Sequence, residues 1–203
     1  MLVLGVTGSI GMGKSTASAL LRHLKIPVSE ADRVVYGLFA RGGAAVAAVE
    51  RAFPGAVVAG AIDRKVLGQR VFGNAEALAR LNAIVHPLVR AAQAGFLAAQ
   101  RRRRVRLAAL DIPLLFETGG ERRCDATLVV TAPVFVQRAR VLARSGMTAD
   151  KLQKILSHQL PDAAKRRRAD FVVPTGLGKR MTLRHLRRIV RRLKPRGVCG
   201  KDA

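Results

Sequence analysis

Apolar residues along the chain follow two rhythms. Short apolar runs at 2–6, 26–29, 105–110, 127–131 and 171–173 are bounded by turn residues and read as strands. Between them, apolar positions recur at helical spacing. Ala17, Leu20, Leu21 and Leu24 predict a first helix that ends before Pro27. A second helix is expected over roughly 31–40, is broken at Gly42-Gly43, and is followed by another to about Phe53. Residues 54–62 read as a loop. Val66, Leu67 and Val71, then Leu78, Leu81, Val85 and Leu88, give two helical stretches, the second carrying Pro87. Proline lacks a donor and disfavours helix at the residue before it, so a kink or break is expected at His86. Further helices are expected over about 133–145 and 148–160. Leu183, Leu186, Val190 and Leu193 form the apolar stripe of a last, arginine-rich helix. Five strands alternating with helices predict an α/β fold with a parallel, doubly wound sheet. Its core is expected over 1–59 and 101–203, with a helical insertion at 60–100 and a frayed tail at 195–203.

Composition narrows the class. At 203 residues, 49% of them apolar, the chain can bury a substantial core. No run of about 18 uncharged apolar residues predicts a membrane span. The first residues enter a strand with no basic-then-apolar export pattern, and two cysteines make neither a disulfide framework nor a metal site. A cytoplasmic location is expected. The net charge of +24 raises nucleic acid as a partner, but arginines outnumber lysines 28 to 9, and aromatic residues are only 4%. Stacking platforms for single strands are scarce, and no specific nucleic-acid partner is expected.

The first strand runs into Thr7-Gly8-Ser9-Ile10-Gly11-Met12-Gly13-Lys14-Ser15-Thr16. Gly8, four residues, then Gly13-Lys14-Ser15 fits a phosphate-binding loop. Glycines let backbone N–H groups crowd a polyphosphate, and the following helix start offers unpaired donors and the positive end of its dipole. Lys14 can reach the β and γ phosphates, and the Ser15 hydroxyl can ligate Mg²⁺.

Three classes of phosphate-loop protein compete for this motif. The asparagines, Asn74 and Asn82, lie in no Asn-Lys-x-Asp context, which argues against a GTPase. Asp111 ends the third strand and is followed by Ile112, where a motor would carry a water-activating glutamate. A kinase remains. It needs a carboxylate to accept the proton of the acceptor hydroxyl; Asp32, after the second strand, is the choice, with a helix N-cap as the alternative. Asp111 is expected to position Mg²⁺ through water, while Asp63 and Asp170 read as caps. Gln137, Arg140 and Arg144 share one helix face and Arg138 points elsewhere. That face is either a lid over phosphates or a solvated basic surface.

With these residues in view, the chain resembles the dephospho-coenzyme A kinase family, which performs the last step of coenzyme A synthesis. The resemblance runs from Val3 to about Lys194. It rests on the loop at 7–16, Ala31-Asp32, Ile62-Asp63-Arg64, Ile84-Val85-His86-Pro87, Asp111-Ile112-Pro113-Leu114-Leu115-Phe116-Glu117, Gln137 with Arg140 and Arg144, Gln159, and Ala169-Asp170. It implies ATP-dependent phosphorylation of the ribose 3′-hydroxyl of dephospho-coenzyme A, with Mg²⁺ accompanying ATP. A nucleoside or nucleotide kinase, or a basic nucleic-acid-binding ATPase, is the alternative. On the resemblance, ATP is held by Gly8, Gly11, Met12, Gly13, Lys14, Ser15, Thr16 and Arg144. Asp32, Lys14 and Arg140 carry catalysis, and the helices over about 133–162 form a lid. The acceptor is held by Asp32, His86, Leu115 and Glu117, and by the helical insertion. Where many members have an asparagine after the fifth strand, this chain has Thr175, so backbone groups are expected to make the adenine contact.

Overall fold

A computed structural model describes residues 1–193; the expected frayed tail at 195–203 lies outside the described residues. Strand β1 (Leu2–Thr7) is buried at five of its six positions, as a central parallel strand covered on both faces must be. It pairs in parallel with β5 (Leu107–Asp111) on one side and β6 (Ala126–Thr131) on the other. Strand β7 (Phe171–Pro174) continues the sheet in parallel beyond β6. With β2 (Val28–Glu30) the five-stranded order is β2-β5-β1-β6-β7. Strands on the two sides of β1 are reached by crossovers in opposite directions, so the turn after β1 is the switch point where such sheets bind ligands.

The chain divides into two compact units, one of Met1–Val28 with the chain from Gln100 onward, the other of Ser29–Ala99. In the first, helices α1 (Lys14–His23) and α9 (Gly178–Leu193) cover the sheet through Ala17, Leu21, Leu186 and Ile189, packed with Leu4, Val6, Leu128 and Val130. Each fully buried leucine or isoleucine stabilises this layer by about 1.5–3 kcal/mol. Gly5 is needed on β1: a Cβ there would lie 2.8 Å from Cys124 Sγ and 3.0 Å from Leu115 Cδ2. Helices α6 (Val134–Leu142), α7 (Ala149–Ser157) and α8 (Asp162–Arg168) fill the stretch between β6 and β7.

The second unit holds α2 (Ala31–Phe39), α3 (Val46–Ala52), the two-stranded pair β3 (Val57–Val58) and β4 (Ala61–Ile62), α4 (Arg64–Val71), and most of α5 (Ala75–Arg102). It has its own core of Phe39, Val49, Phe53, Ile62, Leu67 and Val85. The unit starts at Ser29, well upstream of the expected insertion at residue 60.

Three elements differ from the sequence reading. The stretch read as a loop at 54–62 contains the β3–β4 hairpin, turned by Ala59 and Gly60 at φ +50° and +78°. Positive φ at both central positions suits the twist of a two-residue hairpin, but Ala-Gly lacks the usual Asn or Asp signal. Helix α5 is unbroken at Pro87. Val85, Gln93 and Leu97 are buried at spacings of four and eight, with Val89 packed between them; that stripe outweighs the proline's cost of about 3 kcal/mol. Helix α8, seven residues with four basic residues in its last turn, follows no apolar stripe that a periodicity search would find.

Candidate functional site

The turn after β1 carries the phosphate-loop residues, and three of its glycines are required by geometry. Gly11 and Gly13 have φ of +76° and +87°, a region open to glycine but strained for other residues. A Cβ on Gly8 would lie 2.5 Å from Val130 Cγ2, and one on Gly11 would lie 2.5 Å from Val141 Cγ2. The loop therefore lies tight against β6 and α6, with no space for side chains.

Its carbonyls are taken up from outside. Gln137 Nε2 donates to Ile10 O at 2.8 Å, Arg140 Nη1 donates to Gly11 O at 3.4 Å, and Thr175 Oγ1 donates to Met12 O at 2.8 Å. Ile10 N in turn donates to Gln159 Oε1 at 3.1 Å. The Met12 side chain is buried, with its sulfur 3.0 Å from Ala132 N. The first α-helical bond of α1 is Ala17 N to Gly13 O, so the amides of Lys14, Ser15 and Thr16 precede any internal acceptor. With its carbonyls held by side chains, the loop is left with backbone donors and a helix N-terminus for an anion.

Asp111 ends β5, paired in register with Val6 of β1. Only 2% of it is exposed; Lys14 Nζ donates to Oδ1 and Ser18 Oγ donates to Oδ2 at 2.7 Å. Lys14 and Asp111 are thus brought together, a contact that the sequence reading did not include. Ser15 lies exposed one residue further along α1. A hydroxyl and a carboxylate with unused lone pairs suit a hard cation such as Mg²⁺, which binds through one or two protein oxygens and substrate phosphates. Among the described residues no group of three or more His, Cys, Asp or Glu could hold a metal by itself.

Arg140 is a strut as well as a charge. Nη2 donates to Thr175 O at 2.8 Å and Nη1 to Thr175 Oγ1 at 3.1 Å, besides its bond to Gly11 O. Gln137 and Arg140 therefore present one face of α6 to the loop, while Arg138 on another face is exposed. Arg144 lies beyond the end of α6 and is exposed. Thr175 is 4% exposed and its hydroxyl also faces Thr131 O at 3.2 Å. A hydroxyl with one proton and three neighbours has none to give an adenine, so Thr175 organises the loop where an asparagine was expected.

The residues after Asp111 turn inward. Leu115 is fully buried, packed against the Cα positions of Gly5 and Gly120; its side chain faces the core rather than a ligand. Glu117 Oε1 accepts from Leu160 N at 2.9 Å and lies 2.9 Å from Nζ of the fully buried Lys165. Asp170 receives Thr127 N and Thr127 Oγ1 at the start of β6, and these bonds hold its carboxyl below the usual range.

In the second unit, Asp32 stands in the first turn of α2, exposed, with no hydrogen bond or ion pair among the described residues. The N-cap of α2 is Glu30, so the capping alternative for Asp32 does not apply. Asp63 does cap: its Oδ1 accepts from Lys65 N and Val66 N at the start of α4. His86 is exposed on α5; partial burial, then the charge of Arg90, lowers its imidazole below the usual value and favours the neutral form.

The sequence reading missed Ser18, Lys165 and the structural role of Thr175. Ser18 had a signal, since it lies one turn after Lys14 on the same helix face; a lysine flanked by alanine and arginine carried none. Among the described residues no helix is long and apolar enough to cross a membrane.

Comparison with known proteins gives the family. A family model described as dephospho-CoA kinase matches residues 2–177. The chain is 64% identical to a dephospho-CoA kinase of Paramagnetospirillum magneticum, over 82% of this chain and 78% of that one. It is 55% identical to a Rhodospirillum rubrum dephospho-CoA kinase, over 92% and 89% of the two chains. A crystal structure of a Thermus thermophilus protein superposes with a TM-score of 0.78 at 38% identity, covering 95% of this chain and 98% of that one. The phosphate loop, the acidic residue closing β5 and the Pro-Leu-Leu-Phe-Glu segment thus stand within a match that spans most of the chain, which belongs to the dephospho-CoA kinase family.

Proposed function

We propose that the chain transfers the γ-phosphoryl group of ATP to the ribose 3′-hydroxyl of dephospho-CoA. The observation that carries this reading is the loop at 8–16, whose carbonyls are held by α6 and Thr175 and whose lysine meets Asp111. Family membership supports the acceptor and disfavours a nucleoside kinase or a nucleic-acid-dependent ATPase.

In the reaction, the amides from Gly11 to Thr16 receive the phosphates, and Lys14 exchanges its contact with Asp111 for the β and γ oxygens. Ser15 would hold a nucleotide-bound Mg²⁺ directly and Asp111 through water, and such an ion would supply charge neutralisation at the phosphates. Arg140 adds positive charge beside the loop, and Arg144 lies at the edge of the α6–α7 lid. Asp32 orients the 3′-hydroxyl and accepts its proton as the new P–O bond forms. Neutral His86 supplies a hydrogen bond to the acceptor, while Leu115 and Glu117 shape the backbone of the acceptor loop. A biosynthetic step that draws on ATP suits the cytoplasm.

The test is Asp32→Asn, assayed by single turnover with ATP and dephospho-CoA. General-base help is worth about 10²–10⁴ in rate, and a fall of that size is expected. ATP affinity and melting temperature should stay at wild type, because Asp32 neither caps α2 nor bonds a described residue. Wild-type turnover in the variant would remove Asp32 from the reaction.

A further inference from the structure

Lys165 is fully buried on α8, yet none of the chemistry above uses it. Its ammonium group lies 2.9 Å from Glu117 Oε1, with geometry that falls short of a hydrogen bond; Glu117 Oε2 is likewise buried without a hydrogen-bond partner among the described residues. As a stabilising device this is poor. Taking two charges out of water is recovered only when geometry is good and the remaining protons and lone pairs are satisfied.

What the pair touches gives it another use. Glu117 Oε1 also accepts from Leu160 N. The preceding residue, Gln159, places its Oε1 on Ile10 N of the phosphate loop, and Gln137 holds the carbonyl of that same residue. The Ile10 backbone is therefore held at both its N–H and its C=O, and one clamp stands on a backbone whose next amide is fixed by Glu117. Helix α8 anchors the arrangement: Asp162 accepts from Thr131 Oγ1 at 2.8 Å, Arg168 donates to Glu121 at 2.6 Å, and the Arg168 guanidinium lies over the Phe116 ring.

We propose that Lys165 is a positioning residue for phosphoryl transfer: it fixes the Glu117 carboxylate, Glu117 fixes Leu160 N, and Gln159 is thereby held on the phosphate loop. The loop crest is set from α8 through one carboxylate, and the charge pair supplies register rather than stability. The assignment concerns the nucleotide side and does not depend on which groups hold the acceptor.

Two double variants test it, both without a buried charge. Lys165→Met with Glu117→Gln keeps an oxygen that can accept from Leu160 N; Lys165→Met with Glu117→Ala removes it. Small misplacements far from the reacting atoms cost up to about 10²-fold in rate, so the alanine pair should be about 10 to 100 times lower in kcat/KM for ATP than the glutamine pair. Its affinity for a non-hydrolysable ATP analogue, titrated without acceptor, should fall in parallel. Both are measured on samples whose folded fraction is fixed by circular dichroism. Equal constants in the two folded variants, or wild-type constants in the glutamine pair, which lacks the Lys165 ammonium, would overturn the proposal. If only the glutamine pair folds, Gln159→Ala takes the place of the alanine pair; wild-type kcat/KM for ATP in that variant would overturn the proposal equally.

Discussion

Cys124 lies half-buried at the end of the 3-10 turn Gly120–Arg123, its thiol 3.7 Å from Gly120 O. Burial pushes the thiol up to about 11, against a smaller pull from the Arg123 charge. Thiolate is the reactive form, and a free cysteine titrates near 8.5, so at pH 8 Cys124 should alkylate about two orders of magnitude more slowly than a model thiol. Iodoacetamide labelling followed by peptide mass spectrometry checks this, and equal rates would show that the thiol is open. At this scale the sequence spoke clearly wherever a residue's role is set by its neighbours in the chain. Gly8, Gly13, Lys14 and Ser15 fall into that group, because the spacing that defines a phosphate loop is local. Thr175 does not: its hydroxyl bonds a carbonyl 163 positions away, and no local pattern carries that information. Lys165 was hidden for the same reason.

Helix α6 shows what a single face can do. Gln137 and Arg140 hold carbonyls of the loop, whereas Arg138, two residues before Arg140, is exposed. Hydrogen bonds made by a charged group are worth about 1.5–3 kcal/mol each, and roughly 1.4 kcal/mol is a factor of ten in rate. Arg140→Ala should therefore lower kcat/KM for ATP by at least about tenfold, while Arg138→Ala stays within about twofold. Steady-state kinetics on both variants decides; matching losses would mean that α6 acts only as a basic surface. The helical rhythm revealed that these residues share a face but not what the face meets. The reverse holds for α5, where a proline rule predicted a kink or break, and a buried stripe continuing through Val89 and Gln93 kept the helix from breaking. Propensity is local, and packing overruled it.

Across the molecule, 37 basic residues face 13 acidic ones. Helix α9 illustrates the balance: its inner face is apolar and it has no acidic residue among its sixteen. Such an excess repels itself, and salt weakens the repulsion as the screening length falls from about 30 Å at 0.01 M to about 8 Å at 0.15 M. The melting temperature should rise over that range, as followed by scanning calorimetry; a fall would mean that attractive pairs dominate. The parallel sheet was legible in outline because alternating strands and helices permit few topologies. The boundary at Ser29 was not, because it depends on which helices share a core. The second unit is one uninterrupted segment of the chain. It leaves within β2 and returns in the last turn of α5, ahead of β5, and just outside its two ends Ala109 N donates a backbone hydrogen bond to Pro27 O. Closing a loop costs only about 0.6 kcal/mol more for each doubling of its length. The segment from 29 to 99 is thus a cassette in a fixed frame, open to lengthening or exchange in the course of descent while the phosphate loop stays as it is.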